Sequence, residues 1–150
     1  MDAFVLNVHS WLRYAVLAAA LWTLMRSVMA KGRPWTPADA RSLRIFTIVL
    51  DIQVLLGLIL YFTRGWMPRG DTMAAVMRDS VARFWAVEHI FGMLVAVTLA
   101  HIGAVRIRRA RTDAHRHTLT LIFVGLALVV IFFSIPWPGM RAGRPLFRLY

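Results

Sequence analysis

Four stretches of the chain are almost continuously apolar, and polar residues gather between them. The first runs from about Ala3 to Ala30 and ends at Lys31-Gly32-Arg33-Pro34. The second covers Leu43 to Thr63 and stops at Arg64-Gly65-Trp66-Met67-Pro68. The third covers Phe84 to Val105, and the fourth Thr118 to Ile135, closed by Pro136-Trp137-Pro138-Gly139. At roughly 1.5 Å per residue each is long enough to cross a hydrocarbon core of about 30 Å, the fourth with least to spare.

A segment in lipid must satisfy its own backbone N–H and C=O groups, so it is a helix or a strand of a closed barrel. Barrel strands alternate in polarity over short segments, whereas these runs are long and uniformly apolar. The pattern therefore predicts an all-α integral membrane protein, an up-down-up-down four-helix bundle forming a single transmembrane domain over residues 1–150. Its helices are expected at about 3–30, 43–63, 84–105 and 118–135. A short amphipathic helix over 72–79, capped by Asp71, is expected on the membrane surface. Thr36-Pro37 with Asp39 reads as a cap leading into the second span. The first run lacks a basic n-region and is interrupted by His9 and Arg13, so it reads as a mature helix and not a cleaved signal peptide.

Composition agrees: 59% of residues are hydrophobic, 17% are charged, and the mean hydropathy is +0.63. Cysteine is absent, which removes disulfides, thiolate metal sites, iron–sulfur ligation and covalent haem attachment. Any cofactor must be held by His, Met, carboxylates or shape. The net charge of +11 comes almost entirely from arginine. In a soluble protein it would suggest nucleic acid, but these arginines flank apolar runs. They read as topology determinants and lipid-headgroup contacts, and no nucleic-acid partner is expected. The two connections on one side (Arg26, Lys31, Arg33, Arg41, Arg44; Arg106, Arg108, Arg109, Arg111, Arg116) carry ten basic residues against seven on the other (Arg64, Arg69, Arg78, Arg83, Arg141, Arg144, Arg148). That asymmetry predicts both termini in the periplasm of a bacterial cytoplasmic (inner) membrane.

Several polar residues lie inside the spans: His9 and Arg13, Asp51 and Gln53, Glu88 and His89. An ionisable group there costs at least about 2.5–3.5 kcal/mol on insertion scales, so each needs a reason. His9 and His89 enter from the same side and reach nearly the same depth. Arg13 is one turn deeper than His9 on the same face. Asp51 lies near the midplane within reach of Arg13, where an ion pair is the simple reading. Glu88 and Arg83 stay nearer the boundary, where long side chains can snorkel. Arg13, Asp51, Gln53 and Glu88 are thus expected to join the two histidines in one polar cluster.

Two histidines at matched depth on different helices meet the requirement for axial ligation of a b-type haem iron, with His9 and His89 as the metal ligands. Ser10, Ala86, Gly92 and Ala96 could leave room, and Arg64, Arg83 or the tail arginines could face the propionates. Each ligand should have its other ring nitrogen held by an acceptor. The same pair could instead hydrogen-bond and glue the helices together; a metal ion, a quinone or a pigment is a further reading. A second haem using His101 and His117 is conceivable, although histidines in a headgroup layer, His115 included, are commoner. The methionines read as packing filler and the tryptophans as an interfacial belt.

The strings His9-Ser10-Trp11-Leu12-Arg13-Tyr14, Phe84-Trp85-Ala86-Val87-Glu88-His89, Ile135-Pro136-Trp137-Pro138 and Gly143-Arg144-Pro145-Leu146-Phe147-Arg148 occur in this order. Together they resemble a family of small four-helix bacterial membrane proteins labelled cytochrome b-like, over nearly the whole chain. The resemblance implies haem b bound by His9 and His89, with Arg13 and Glu88 as supporting polar residues. The chain is also loosely similar to cytochrome b561-type haem carriers, but departs from them in lacking histidine pairs at both membrane faces. Two functions are therefore expected to compete. One is an electron-transfer protein with a single haem near the periplasmic face, exchanging electrons with quinol or a periplasmic partner. The other is a non-catalytic accessory subunit of a larger respiratory or photosynthetic membrane complex, held among other subunits or as a homo-oligomer. A transporter ranks below both, since no span is broken at mid-membrane.

Overall fold

The computed structural model describes residues 2–67 and 72–147. Helix α1 spans Asp2–Val28 and α2 spans Pro37–Thr63; the short helices α3 and α4 span Thr72–Arg78 and Ser80–Arg83. A single π-helical turn, Phe84–Glu88, joins α4 to α5 (His89–Arg109), and α6 spans Asp113–Ser134. Four helical segments are long and apolar enough to cross a membrane: Ala3–Val28, Pro37–Thr63, Ser80–Arg109 and Asp113–Ser134. No strand occurs among the described residues. The expected cap Asp71 and the basic residues Arg69 and Arg148 lie outside the described residues.

Helix α1 packs beside α2 and α5 beside α6; α1 then meets α6 and α2 meets α5, closing a four-sided bundle whose loosest seam is α2–α5. Lipid supplies little drive for apolar faces to associate, so close packing has to hold the spans together. Small residues make that approach possible. Ala20, Ala96, Ala100 and Ala127 are almost completely buried on facing helices around Val16, Phe46, Leu50 and Val124. Large apolar side chains such as Phe91 and Phe133 point outward, as lipid-facing residues do.

The two ends of the bundle differ. At the loop end, Asp39 is 1% exposed and accepts bonds from Arg26 Nε at 2.8 Å, from Arg33 at 2.7 and 2.8 Å, and from the main-chain N–H and hydroxyl of Thr36. This network lets α2 begin at Pro37, earlier than the expected start at Leu43: Asp39 can be buried in the first turn because its charge is matched. At the terminus end, Pro136 and Pro138 stop α6, and residues 135–147 fold back as a strap. Arg144 N–H donates to Pro136 O at 3.0 Å, and a turn at Gly143 is so tight that a Cβ would come within 2.5 Å of Trp137 O. The strap docks on α1. Arg13 and the Tyr14 hydroxyl both donate to Leu146 O, Arg13 also donates to Pro145 O at 3.2 Å, and Phe147 stacks against Tyr14 and Trp11.

Candidate functional site

Inside the terminus end, the four spans and the strap enclose a cavity of about 150 Å³. His9 and Arg13 reach it from α1, Gln53 and Gly57 from α2, Trp85 from the π turn and His89 from α5. The imidazoles of His9 and His89 stand at one level, ring centroids 6.3 Å apart and planes at 81°. The expected pairing of these two residues is therefore what the fold produces.

Each histidine is set by a different device. The π turn widens the helix just before His89, whose N–H reaches back to Phe84 O, and such turns recur at functional sites because they re-aim a side chain without ending the helix. His89 Nδ1 lies 2.7 Å from Ser134 O. A carbonyl only accepts, so Nδ1 carries the proton and Nε2 keeps its lone pair. His9 packs against Gly57, where a Cβ would come within 3.1 Å of its Cε1. Gln53 donates its amide to the main-chain oxygen of His9 at 3.0 Å, and the same nitrogen is 3.4 Å from His9 Nε2.

Polar atoms around this cavity are left over. His9 Nδ1, Arg13 Nε, Gln53 Oε1 and Trp85 Nε1 are buried without a hydrogen-bond partner among the described residues. An unsatisfied buried polar group costs about 1–3 kcal/mol, so a cluster of them around one space is a chemical argument for a polar or metal-bearing occupant.

The donor set can be tested against the expected haem. An imidazole nitrogen binds a first-row metal ion at about 2.0–2.1 Å and sits roughly 1.1 Å from its ring centre, so two rings on opposite sides of one ion stand about 6.3 Å apart. The observed separation is the same. No group of three or more His, Asp or Glu residues among the described ones could hold a bare ion. Two imidazoles leave further ligands to be supplied, as a macrocycle would supply them. Arg64 and Arg144 also line the cavity, with Arg144 over the Trp85 ring at 5.1 Å, and could face acidic side groups of such a macrocycle. The ring separation thus matches that of two imidazoles sharing one ion. Laterally, 150 Å³ admits a benzene-sized ring, and a porphyrin would need the strap and the loose α2–α5 seam to part.

The single polar cluster expected from sequence divides into three. Arg13 and Gln53 stay with the histidines, but Arg13 is bound by the strap and Tyr14, not by Asp51. Asp51 pairs with His101 at 2.7 Å on the outside of the α2–α5 seam, both side chains about half exposed. The physical reason is spacing: two residues along a helix turn the side chain by roughly 200°, so Gln53 facing inward sends Asp51 outward. Glu88 precedes His89 by one residue and is turned away likewise; it pairs with Arg83 at 2.6 Å and is absent from the cavity wall. Arg83 is thereby occupied and is no longer available to a propionate. Of the small residues expected to make room, Ser10 lines the cavity, Ala86 and Ala96 are buried in the packing, and Gly92 accommodates the Ser134 side chain. His101 and His117 are not brought together, since His117 is buried against Trp35 and Ser27. Sequence reasoning placed Gln53 with His9 but missed Gly57 and the Ser134 carbonyl. Only the prolines after Ser134 signalled any of these in advance.

No family model, curated protein or solved structure matches this chain.

Proposed function

We propose that the protein is a membrane electron-transfer protein that binds one b-type haem through His9 and His89. The observation that carries this reading is the pair of imidazoles 6.3 Å apart in a buried cavity, one of them with its tautomer set by a main-chain acceptor. When bound, a b-type haem supplies one-electron redox chemistry. The protein's own part is to hold and tune. Ser134 O keeps the His89 proton on Nδ1, which raises the basicity of the other nitrogen. Arg64 and Arg144 would neutralise acidic side groups. The strap keeps water from the site, and low polarity around it sets the potential.

On this reading the site lies toward the periplasmic face of a bacterial inner membrane, with both termini on that side. The distribution of arginine and lysine between the two ends supports the orientation. Quinol is the membrane-soluble donor of matching chemistry. The purified full chain should take up haem with a Soret band and an α-band that sharpens on dithionite. His9→Ala and His89→Ala, shown to be folded, should each abolish that spectrum.

A second reading, a non-catalytic accessory subunit, draws on one observation. Gln53 ties α2 to His9 and Ser134 ties α6 to His89, so each histidine already joins two helices. A colourless, folded preparation that co-purifies stoichiometrically with a larger complex would favour it.

A further inference from the structure

The loop end has two basic connections that are chemically unlike. In the first, Arg26 and Arg33 are both consumed by Asp39. In the second, Arg106, Arg109 and Arg111 have no carboxylate or hydrogen-bond acceptor among the described residues; Arg106 only rests over the Phe123 ring at 5.7 Å. The one carboxylate in that connection, Asp113, is taken by Arg116 at 3.1 Å.

These three arginines lie together in a shallow, open depression. With His115 they rim a concave site between the end of α5 and the start of α6, whose wall is Ile102, Val105 and Leu119. A cationic rim above an apolar wall, where spans leave the membrane, is the chemistry of an amphiphile with a negative head. His101 also lines this site, about 7.5 Å below Arg106 along α5. Its pair with Asp51 faces sideways, half exposed, where bare hydrocarbon would be an unfavourable neighbour.

We propose that this concavity binds an anionic phospholipid: its phosphate is held by Arg106, Arg109 and Arg111, and its chains lie on Ile102, Val105 and Leu119. Three guanidiniums provide multiple charge-assisted donors to a phosphate diester. A free phosphate shares the head chemistry but has no use for the apolar wall. The site is independent of the cofactor cavity at the other end.

The test uses the full chain in nanodiscs and native mass spectrometry, with phosphatidylglycerol and phosphatidylcholine of identical acyl chains. Wild type should retain phosphatidylglycerol preferentially. The R106Q/R109Q/R111Q variant should lose that preference, by roughly 5-fold per arginine and about 100-fold in all. R41Q/R44Q, at the same end of the bundle, should keep it, which separates this site from general charge. The Arg→Lys triple variant should retain most of the preference and stands in if the Gln variant fails to fold. Inorganic phosphate at equal concentration should not displace the lipid. Equal retention of the two lipids by wild type would overturn the proposal, as would an unchanged preference in the triple Gln variant. Displacement by inorganic phosphate would assign the site to the free anion instead.

Discussion

His89 Nδ1 sits 2.7 Å from Ser134 O, and that oxygen is free to accept because α6 runs into two prolines. In a continuing helix it would take the N–H of residue 138, which is proline and has none. Pro136 similarly frees Phe132 O, which the Trp137 indole takes at 2.8 Å. The prolines that end α6 thus hand two carbonyls to side chains, one of them to a candidate ligand. Replacing both, in P136A/P138A, should lengthen α6 by about a turn and remove the acceptor. Haem affinity, read by absorption titration, should then fall about 10–100-fold, the usual effect of losing such a partner. An unchanged affinity would mean that Ser134 plays no part in orienting the ligand.

Gly57 leaves only enough room for the His9 ring, with 3.1 Å between a would-be Cβ and Cε1. Gly57→Val should push the ring aside. The expected result is a folded protein without the Soret band, with stability lowered by about 1–3 kcal/mol from overpacking. Unfolding in mixed micelles measures the second quantity separately from the first.

Asp51 faces away from the cavity and bonds His101. Asp51→Asn should therefore leave the absorption spectrum and haem affinity unaltered. A shifted spectrum would indicate that Asp51 communicates with Arg13 after all.

At the loop end, Asp39 is a buried anion between two arginines. Asp39→Ala leaves Arg26 and Arg33 without their shared acceptor and should lower stability, by less than loss of a fully buried partner because both arginines reach solvent. The loss should appear in unfolding midpoints, while the cavity at the opposite end keeps its ligand geometry.

Arg13 secures the strap through the Leu146 and Pro145 carbonyls. Hydrogen bonds to a charged group are worth about 1.5–3 kcal/mol, so Arg13→Gln should raise the detached fraction roughly 10–100-fold. Trypsin cleavage after Arg141 and Arg144, detected by mass spectrometry, reads that fraction directly.

The four spans were legible because lipid imposes one requirement over many residues, so an error at any single position matters little. The level of His9 and His89 was legible for the same reason: helix rise is constant, so depth can be counted from a span's end. Azimuth is harder. Asp51 and Gln53 were assigned to one cluster, yet a separation of two residues places them on opposite sides of α2. Glu88 and His89 differ by one residue with the same consequence. The π turn shifts the helix phase ahead of His89 and has no sequence mark of its own. Thr36-Pro37 with Asp39 marks the cap of α2, but the apolar run starts only at Leu43, so the first turn is legible as a cap and not as part of the span. Which side chains a buried polar group meets depends on rotation and tertiary pairing, and apolar periodicity is a weak guide to either.

The strap at residues 135–147 comes after all four spans in chain order and supplies one wall of the cavity. Until residues 145–147 are synthesised that flank has no cover, because Arg13 and Tyr14 hold the strap through the Leu146 carbonyl. On the haem reading, a bulky prosthetic group would have to enter before that contact forms, and a chain that closed early would be left without it.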